Sequence, residues 1–201
     1  MFITFEGIDG SGKSTQIELL SEYLLENRIE FISIREPGGT DIAEQIRNIL
    51  LASKNEMNGI TELMLFEAAR ADLTEKVILP ALKQNKLVLS DRFFDSSTAY
   101  QGYGRGLDIQ SIEKCNQLAT QNLLPDITFY LHLSPEIGIS RRKHKDLDRM
   151  EQSGLEFFKN VTDGFLELCV KYPERFVFID ASQSKEEIFQ IILNIILDKI
   201  K

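Results

Sequence analysis

Apolar positions along this chain alternate between two kinds of pattern. Short runs rich in β-branched and aromatic residues, near 2–6, 30–34, 86–90, 127–133 and 176–179, have the length and composition of strands buried on both faces. Between them apolar residues recur at helical spacing, as Ile17, Leu20, Leu24 and Leu25 do. This spacing predicts helices near 13–27, 42–52, 61–84, 93–101, 109–122, 135–143, 151–171 and 185–200. Strands that alternate with helices imply parallel β-α-β crossovers. The expected architecture is a three-layer α/β fold with a five-stranded parallel sheet flanked by helices. No repeat, low-complexity tract or Pro/Gly/Ser linker divides the chain, so residues 1–201 are expected to form a single domain.

The junction of the first strand and first helix carries chemistry. Gly7, Ile8, Asp9, Gly10, Ser11, Gly12, Lys13 and Ser14 fit G-x-x-x-x-G-K-[ST], the Walker A pattern, with Thr15 following. Strand, glycine loop, helix is the context that this phosphate loop needs. The glycines let backbone N–H groups turn inward around phosphate oxygens, and the helix N-terminus adds partial positive charge. Lys13 can reach the β- and γ-phosphates of a nucleoside triphosphate, and Ser14 can ligate Mg²⁺. The topology becomes that of a P-loop NTPase, with ATP and Mg²⁺ as expected cofactors.

Composition narrows the partners. The net charge of −8 argues against nucleic acid or anionic membrane, which need a broad positive surface. Anionic substrates must then be held by local basic groups, and Arg141, Arg142, Lys143, Lys145 and Arg149 form one such island. Cys115 and Cys169 lack metal-ligand or CxxC spacing and read as reduced thiols of a cytoplasmic protein. The most apolar helix, 188–200, is interrupted by Gln190, Asn194, Asp198 and Lys199, too short and polar to span a bilayer.

Ligands of open α/β sheets bind beyond the carboxyl ends of the strands. Strand two ends in Arg35-Glu36-Pro37-Gly38-Gly39-Thr40 and strand three in Ser90-Asp91-Arg92. Asp91 can help to hold Mg²⁺ or its waters, or cap the following helix, or both. Arg92 has the planar fork that suits a monophosphate dianion, with an ion pair to Glu36 as the alternative. Phe66 and Arg70 share one helix face, where an aromatic ring can stack a base and Arg70 can bond its edge; core packing is the alternative for Phe66. Ser96 with Tyr100, and Ser97 with Gln101, repeat the one-turn spacing.

The phosphate loop, the Glu36-Pro37-Gly38-Gly39-Thr40 turn, Asp91-Arg92 and Ala99-Tyr100-Gln101-Gly102 together resemble bacterial thymidylate kinases, from the first strand to the last helix. The resemblance implies transfer of the γ-phosphoryl group of ATP to dTMP, giving dTDP and ADP, in a homodimer. It implies that Asp9 meets the sugar 3′-hydroxyl, Glu36 and Pro37 line the acceptor pocket, and Arg47 and Arg92 reach its phosphate. Phe66, Arg70 and Gln101 would hold thymine, and Tyr100 would crowd the sugar C2′. The basic stretch would be a flexible lid over the ATP phosphates, near 141–151. Some relatives carry an arginine inside the phosphate loop; Gly10 or Ser11 stands there in this chain, so the cation must come from the lid. That places the chain in the lid-arginine subclass, with Arg142 and Arg149 as the catalytic cations and Arg141 near adenine.

Two rivals remain. A kinase for another nucleoside monophosphate lacks the Glu36–Thr40 and Ala99–Gly102 pair, and a deoxynucleoside kinase needs a base near Glu36. A GTPase switch would need N-K-x-D, which Asn85-Lys86-Leu87-Val88 fails.

Overall fold

The computed structural model describes residues 1–52, 56–141 and 148–200. Five strands, β1 (Phe2–Glu6), β2 (Phe31–Arg35), β3 (Leu87–Asp91), β4 (Ile127–His132) and β5 (Phe176–Asp180), form one sheet in the order β2-β3-β1-β4-β5. Every neighbouring pair is parallel, as the α/β expectation required. Alternate side chains serve opposite faces. Ile3, Phe5, Leu87, Leu89, Ile127 and Phe129 join one core with Ile17, Leu20 and Leu24 of α1 (Lys13–Glu26). Phe2 and Val88 point into a second core with Leu73, Ile78 and Phe93.

The helices that follow α1 are α2 (Asp41–Leu51), α3 (Gly59–Leu73), α4 (Leu79–Lys83), α5 (Phe94–Ser97), α6 (Ile109–Thr120), α7 (Pro135–Arg141), α8 (Leu155–Lys171) and α9 (Lys185–Ile200). Three expected helices are broken. The 61–84 stretch passes through a π turn at Thr74–Ile78, where Leu79 N–H bonds the Thr74 carbonyl. Pro80 follows at once and has no N–H for Lys76, so the wider turn absorbs the lost bond. The 93–101 stretch is α5 followed by a second π turn, Thr98–Gly104. The 151–171 stretch divides at Gly154, whose φ of 86° lies in the left-handed region, leaving a single 3₁₀ turn at Glu151–Ser153 before α8. The seventh expected helix is described as far as Arg141; Arg142 and Lys143 lie outside the described residues, as do His144 to Leu147 of the expected lid. Among the described residues no helix is long and apolar enough to cross a membrane.

Candidate active site

The carboxyl ends of β1, β2 and β3 frame a cleft of about 660 Å³. β1 runs directly into the phosphate loop. Gly7 takes φ 137°, and a Cβ there would stand 2.6 Å from the Leu131 carbonyl oxygen, so only glycine lets the loop start this close to β4. Lys13 opens α1 with its side chain folded back over the loop, Nζ donating to the carbonyls of Gly7 (3.0 Å) and Ile8 (3.1 Å). Burial, with Arg92 nearby, lowers the pKa of Lys13, while Asp91, Asp9 and Glu6 oppose the shift. Ser14 Oγ donates to Asp91 Oδ2 at 3.0 Å, which brings the two expected metal ligands together across 77 residues of chain.

β3 delivers Arg92 in an unusual backbone state. Its φ of 72° is left-handed, a conformation that costs a side-chain-bearing residue about 1–2 kcal/mol. The Arg92 N–H bonded to Phe5 O (3.0 Å) and the Ser90 hydroxyl donating to Arg92 O (2.6 Å) hold it there. The guanidinium reaches back over the phosphate loop to Gly7 O (2.8 Å), Asp9 Oδ1 (2.8 Å) and Ser96 Oγ (3.2 Å), with the Tyr100 ring 5.1 Å away. Its ion-pair partner is therefore Asp9, not Glu36.

Glu36 belongs to Arg70. Arg70 Nε donates to Glu36 Oε2 at 2.8 Å, and its other nitrogens bond Glu67, Ser97 Oγ and Phe93 O. Burial works against the Arg70 charge, but Glu36 and Glu67 more than offset it and raise its pKa. Glu36 Oε1 is buried without a partner on the cleft wall. Arg47 NH1 donates to Pro37 O at 2.8 Å, which holds α2 against the turn.

Of the expected site residues, Asp9, Gly10, Gly12, Lys13, Ser14, Thr15, Glu36, Pro37, Arg47, Phe66, Asp91, Arg92, Ser96 and Tyr100 line this single cleft. Gly7, Ile8 and Ser11 form the loop beneath it. Arg70, Ser97 and Gln101 do not line it. They are almost fully buried behind the wall, and Gln101 Nε2 is bonded to Glu62 (2.9 Å). Arg141 stands at the loop, donating to Gly10 O at 2.9 Å. Arg149 departs from the expected free lid cation: its guanidinium bonds Glu62 Oε2 (2.5 Å) and Leu50 O (2.8 Å). Glu62 is wholly buried and demands a charged partner, which Arg105 supplies as well (3.1 Å). Arg142 lies outside the described residues.

Sequence reasoning named Arg35 at the end of strand two without giving it a role, and passed over Leu51, Asp148 and Met150 on the cleft wall and Glu6 beneath it. Glu6 was signalled by position alone, as an acid closing an otherwise apolar strand directly before Gly7. It is 0% exposed, and accepts from Phe93 N–H (2.8 Å) and Ser96 Oγ (2.5 Å).

The family model described as thymidylate kinase matches residues 5–192. The thymidylate kinase of Prosthecochloris aestuarii is 49% identical, covering 99% of this chain and 94% of its own length. That of Thermoanaerobacter sp. is 45% identical over 97% of this chain and 96% of its own. The crystal structure of thymidylate kinase from Ehrlichia chaffeensis superposes with a TM-score of 0.78 at 38% identity, covering 98% of both chains. A phosphate loop, Asp91 and several arginines around one cleft, in a chain matched along nearly its whole length by these relatives, make this protein a member of the thymidylate kinase family, whose enzymes are ATP-dependent nucleoside monophosphate kinases.

Proposed function

We propose that the cleft transfers the γ-phosphoryl group of ATP to dTMP, giving dTDP and ADP. The observation that carries this reading is that Lys13, Ser14 and Asp91 line one and the same cleft as Arg92, Asp9, Tyr100 and Phe66. ATP occupies the glycine loop, its phosphates against the free N–H groups of the first turn of α1. Thymidylate lies opposite, its phosphate between Arg92 and Arg47, its sugar hydroxyl on Asp9 and its base on Phe66. Tyr100 narrows the sugar site. Glu36 offers its unpartnered oxygen to a donor on the acceptor. Arg70, Ser97 and Gln101 act from behind, through Glu36 and the wall.

No general base is required, because the acceptor phosphate is already an oxyanion; alignment and charge neutralisation supply the rate. Ser14 Oγ and Asp91 Oδ2, 3.0 Å apart, are hard oxygen donors of the kind that Mg²⁺ prefers, and bound Mg²⁺ would neutralise charge on the transferred group. We place the enzyme in the lid-arginine subclass, as one domain with residues 141–151 as its lid. Arg141 is the lid cation already at the loop, Arg142 the next candidate, and Arg149 serves only if it leaves Glu62. A homodimer through α2, α3 and α6 fits their exposed apolar residues, Ile42, Ile49, Ile60, Met64 and Leu118. Two free cysteines fit a cytoplasmic setting.

A coupled assay with ATP and dTMP, dUMP, thymidine or AMP tests the reading. The expected order puts dTMP first. Preference for thymidine over dTMP would overturn it.

A further inference from the structure

Ser96 lines the cleft beside Arg92, yet its hydroxyl is also bonded to the buried Glu6. A serine hydroxyl has one proton to donate and two lone pairs to accept with. Arg92 NH1 donates to one lone pair at 3.2 Å. When Glu6 is ionised, the hydroxyl proton is committed to Glu6 Oε2, which leaves Ser96 no donor for a ligand in the cleft. That arrangement opposes an anion. When Glu6 carries a proton on Oε2, the carboxyl donates to Ser96 Oγ instead. The Ser96 proton is then free to turn into the cleft and bond a phosphate oxygen.

We propose that Glu6 and Ser96 form a proton relay beneath the acceptor end of the cleft, so that binding of the acceptor phosphate draws one proton from solvent onto Glu6. This rests on the placement of that phosphate at Arg92 argued above. The proton enters through Ser96, which takes one on its cleft side and passes its own to Glu6; a carboxylate becomes a carboxylic acid and no other bond changes. Glu6 is thus a positioning residue. Its Oε1, held by the Phe93 N–H, keeps the start of α5 registered against β1 in both states.

The surroundings of Glu6 permit this exchange. Burial is the largest influence and Asp95 of α5 adds to it, while Arg92, Ser96 and the Phe93 N–H oppose, leaving the carboxyl pushed up from 4.5 to about 8. Lys13 from α1, Tyr100 from the π turn and Arg175 from the segment before β5 also feel its charge. A phosphate dianion arriving at Arg92 offsets the cation that most favours the ionised form and raises proton affinity further.

Calorimetric titration with thymidylate, repeated near pH 8 in buffers of different ionisation enthalpy, tests the relay. Thymidylate is already dianionic there, since its second phosphate pKa is about 6, and it contributes no proton of its own. The wild-type protein should take up about half a proton per thymidylate bound near its carboxyl midpoint, and affinity should fall about tenfold per pH unit above it. Glu6→Gln imitates the neutral carboxyl by donating an amide N–H to Ser96; it should bind with no uptake and a flat pH profile. Ser96→Ala keeps Glu6 but lacks the hydroxyl, and its uptake should drop below half the wild-type value; it carries the test alone should Glu6→Gln fail to fold. Full uptake in either variant, or none in the wild type, overturns the relay. Arg92→Ala separates the two readings: thymidylate affinity unchanged by it would overturn the placement itself, whereas weakened affinity with no wild-type uptake overturns only the relay.

Discussion

Single side chains in this cleft are held by the loop backbone and side chains around them. Lys13 illustrates it: with Nζ on two loop carbonyls, it is folded over the site that the β- and γ-phosphates would fill. Lys13→Ala should lower kcat by about 10²–10³-fold, the scale of losing one preorganised charge on a transferring group, while thymidylate affinity stays within about twofold. Steady-state kinetics beside calorimetry checks this; an equal loss of thymidylate binding would place Lys13 at the wrong end. Glu6 makes a second residue-scale prediction, on stability. Its carboxyl is raised from 4.5 to about 8 by burial first and Asp95 next. Between those values the folded chain holds more of this proton than the unfolded chain does. Its stabilising contribution is therefore complete below the lower value and lost as pH climbs through the upper one, by at most about 1.4 kcal/mol per pH unit. Urea unfolding between about pH 5 and pH 8 should show that decline in the wild type and a shallower one in Glu6→Gln. Parallel curves would mean that the carboxyl stays ionised when folded.

Elements, by contrast, are positioned by buried polar links that no local pattern announces. The four-residue helix α5 carries Ser96 to the cleft, and so short a helix is not held in place by its own hydrogen bonds. Beneath it Arg175 grips Asp95 with both arms (2.6 and 2.8 Å) and continues through Thr128 (3.0 Å) to Thr4 (2.9 Å), tying α5 to β4 and β1. Arg175→Met would leave the Asp95 carboxylate, 1% exposed, without its cation. Losing one partner of such a buried pair costs about 3–5 kcal/mol, so the urea midpoint should fall accordingly, and KM for thymidylate should rise more than KM for ATP. A midpoint shift under about 1 kcal/mol would assign α5 to some other anchor. Such links also explain what was legible beforehand. The five strands and the phosphate loop are written in local composition and spacing, and the strand-end rule was enough to bring Glu36, Asp91 and Arg92 to one crevice. The π turns at Thr98–Gly104 and Thr74–Ile78 left no mark on the apolar period; Gln101, inside the first, and Ser97, at the end of α5, were expected on the cleft and instead face inward. Glu36 is 34 residues from Arg70, Asp9 is 83 from Arg92 and Glu62 is 87 from Arg149, and charge alone could not choose among the acids.

At the scale of the whole molecule, the homodimer proposed above commits one face of the fold to a second copy. Helices α2, α3 and α6 pack side by side, and their outer sides expose Ile42 and Ile49, Ile60 and Met64, and Leu118, which is 83% exposed. Ile42 and Ile49 are seven apart and Ile60 and Met64 four apart, so each pair shares one side of its helix. Exposed apolar residues scattered singly are ordinary, but three neighbouring helices that each expose at least one fit the proposed interface. A stable dimer buries roughly 1,200–2,000 Å², which requires a face of this breadth rather than one side chain. The same helices carry Arg47, Phe66 and Arg70, so covering them would also stiffen the acceptor wall. Replacing Ile60 and Leu118 together with Glu should bring the mass in solution from twice 23.0 kDa to 23.0 kDa by light scattering. Val170 is 82% exposed on α8, a helix outside these three, and Val170→Glu should leave the mass unchanged. The monomeric variant should bind thymidylate more weakly while keeping its ATP affinity, because α1 and the phosphate loop lie outside the covered face. A double variant that stays dimeric, or a Val170→Glu protein that dissociates, would move the interface elsewhere.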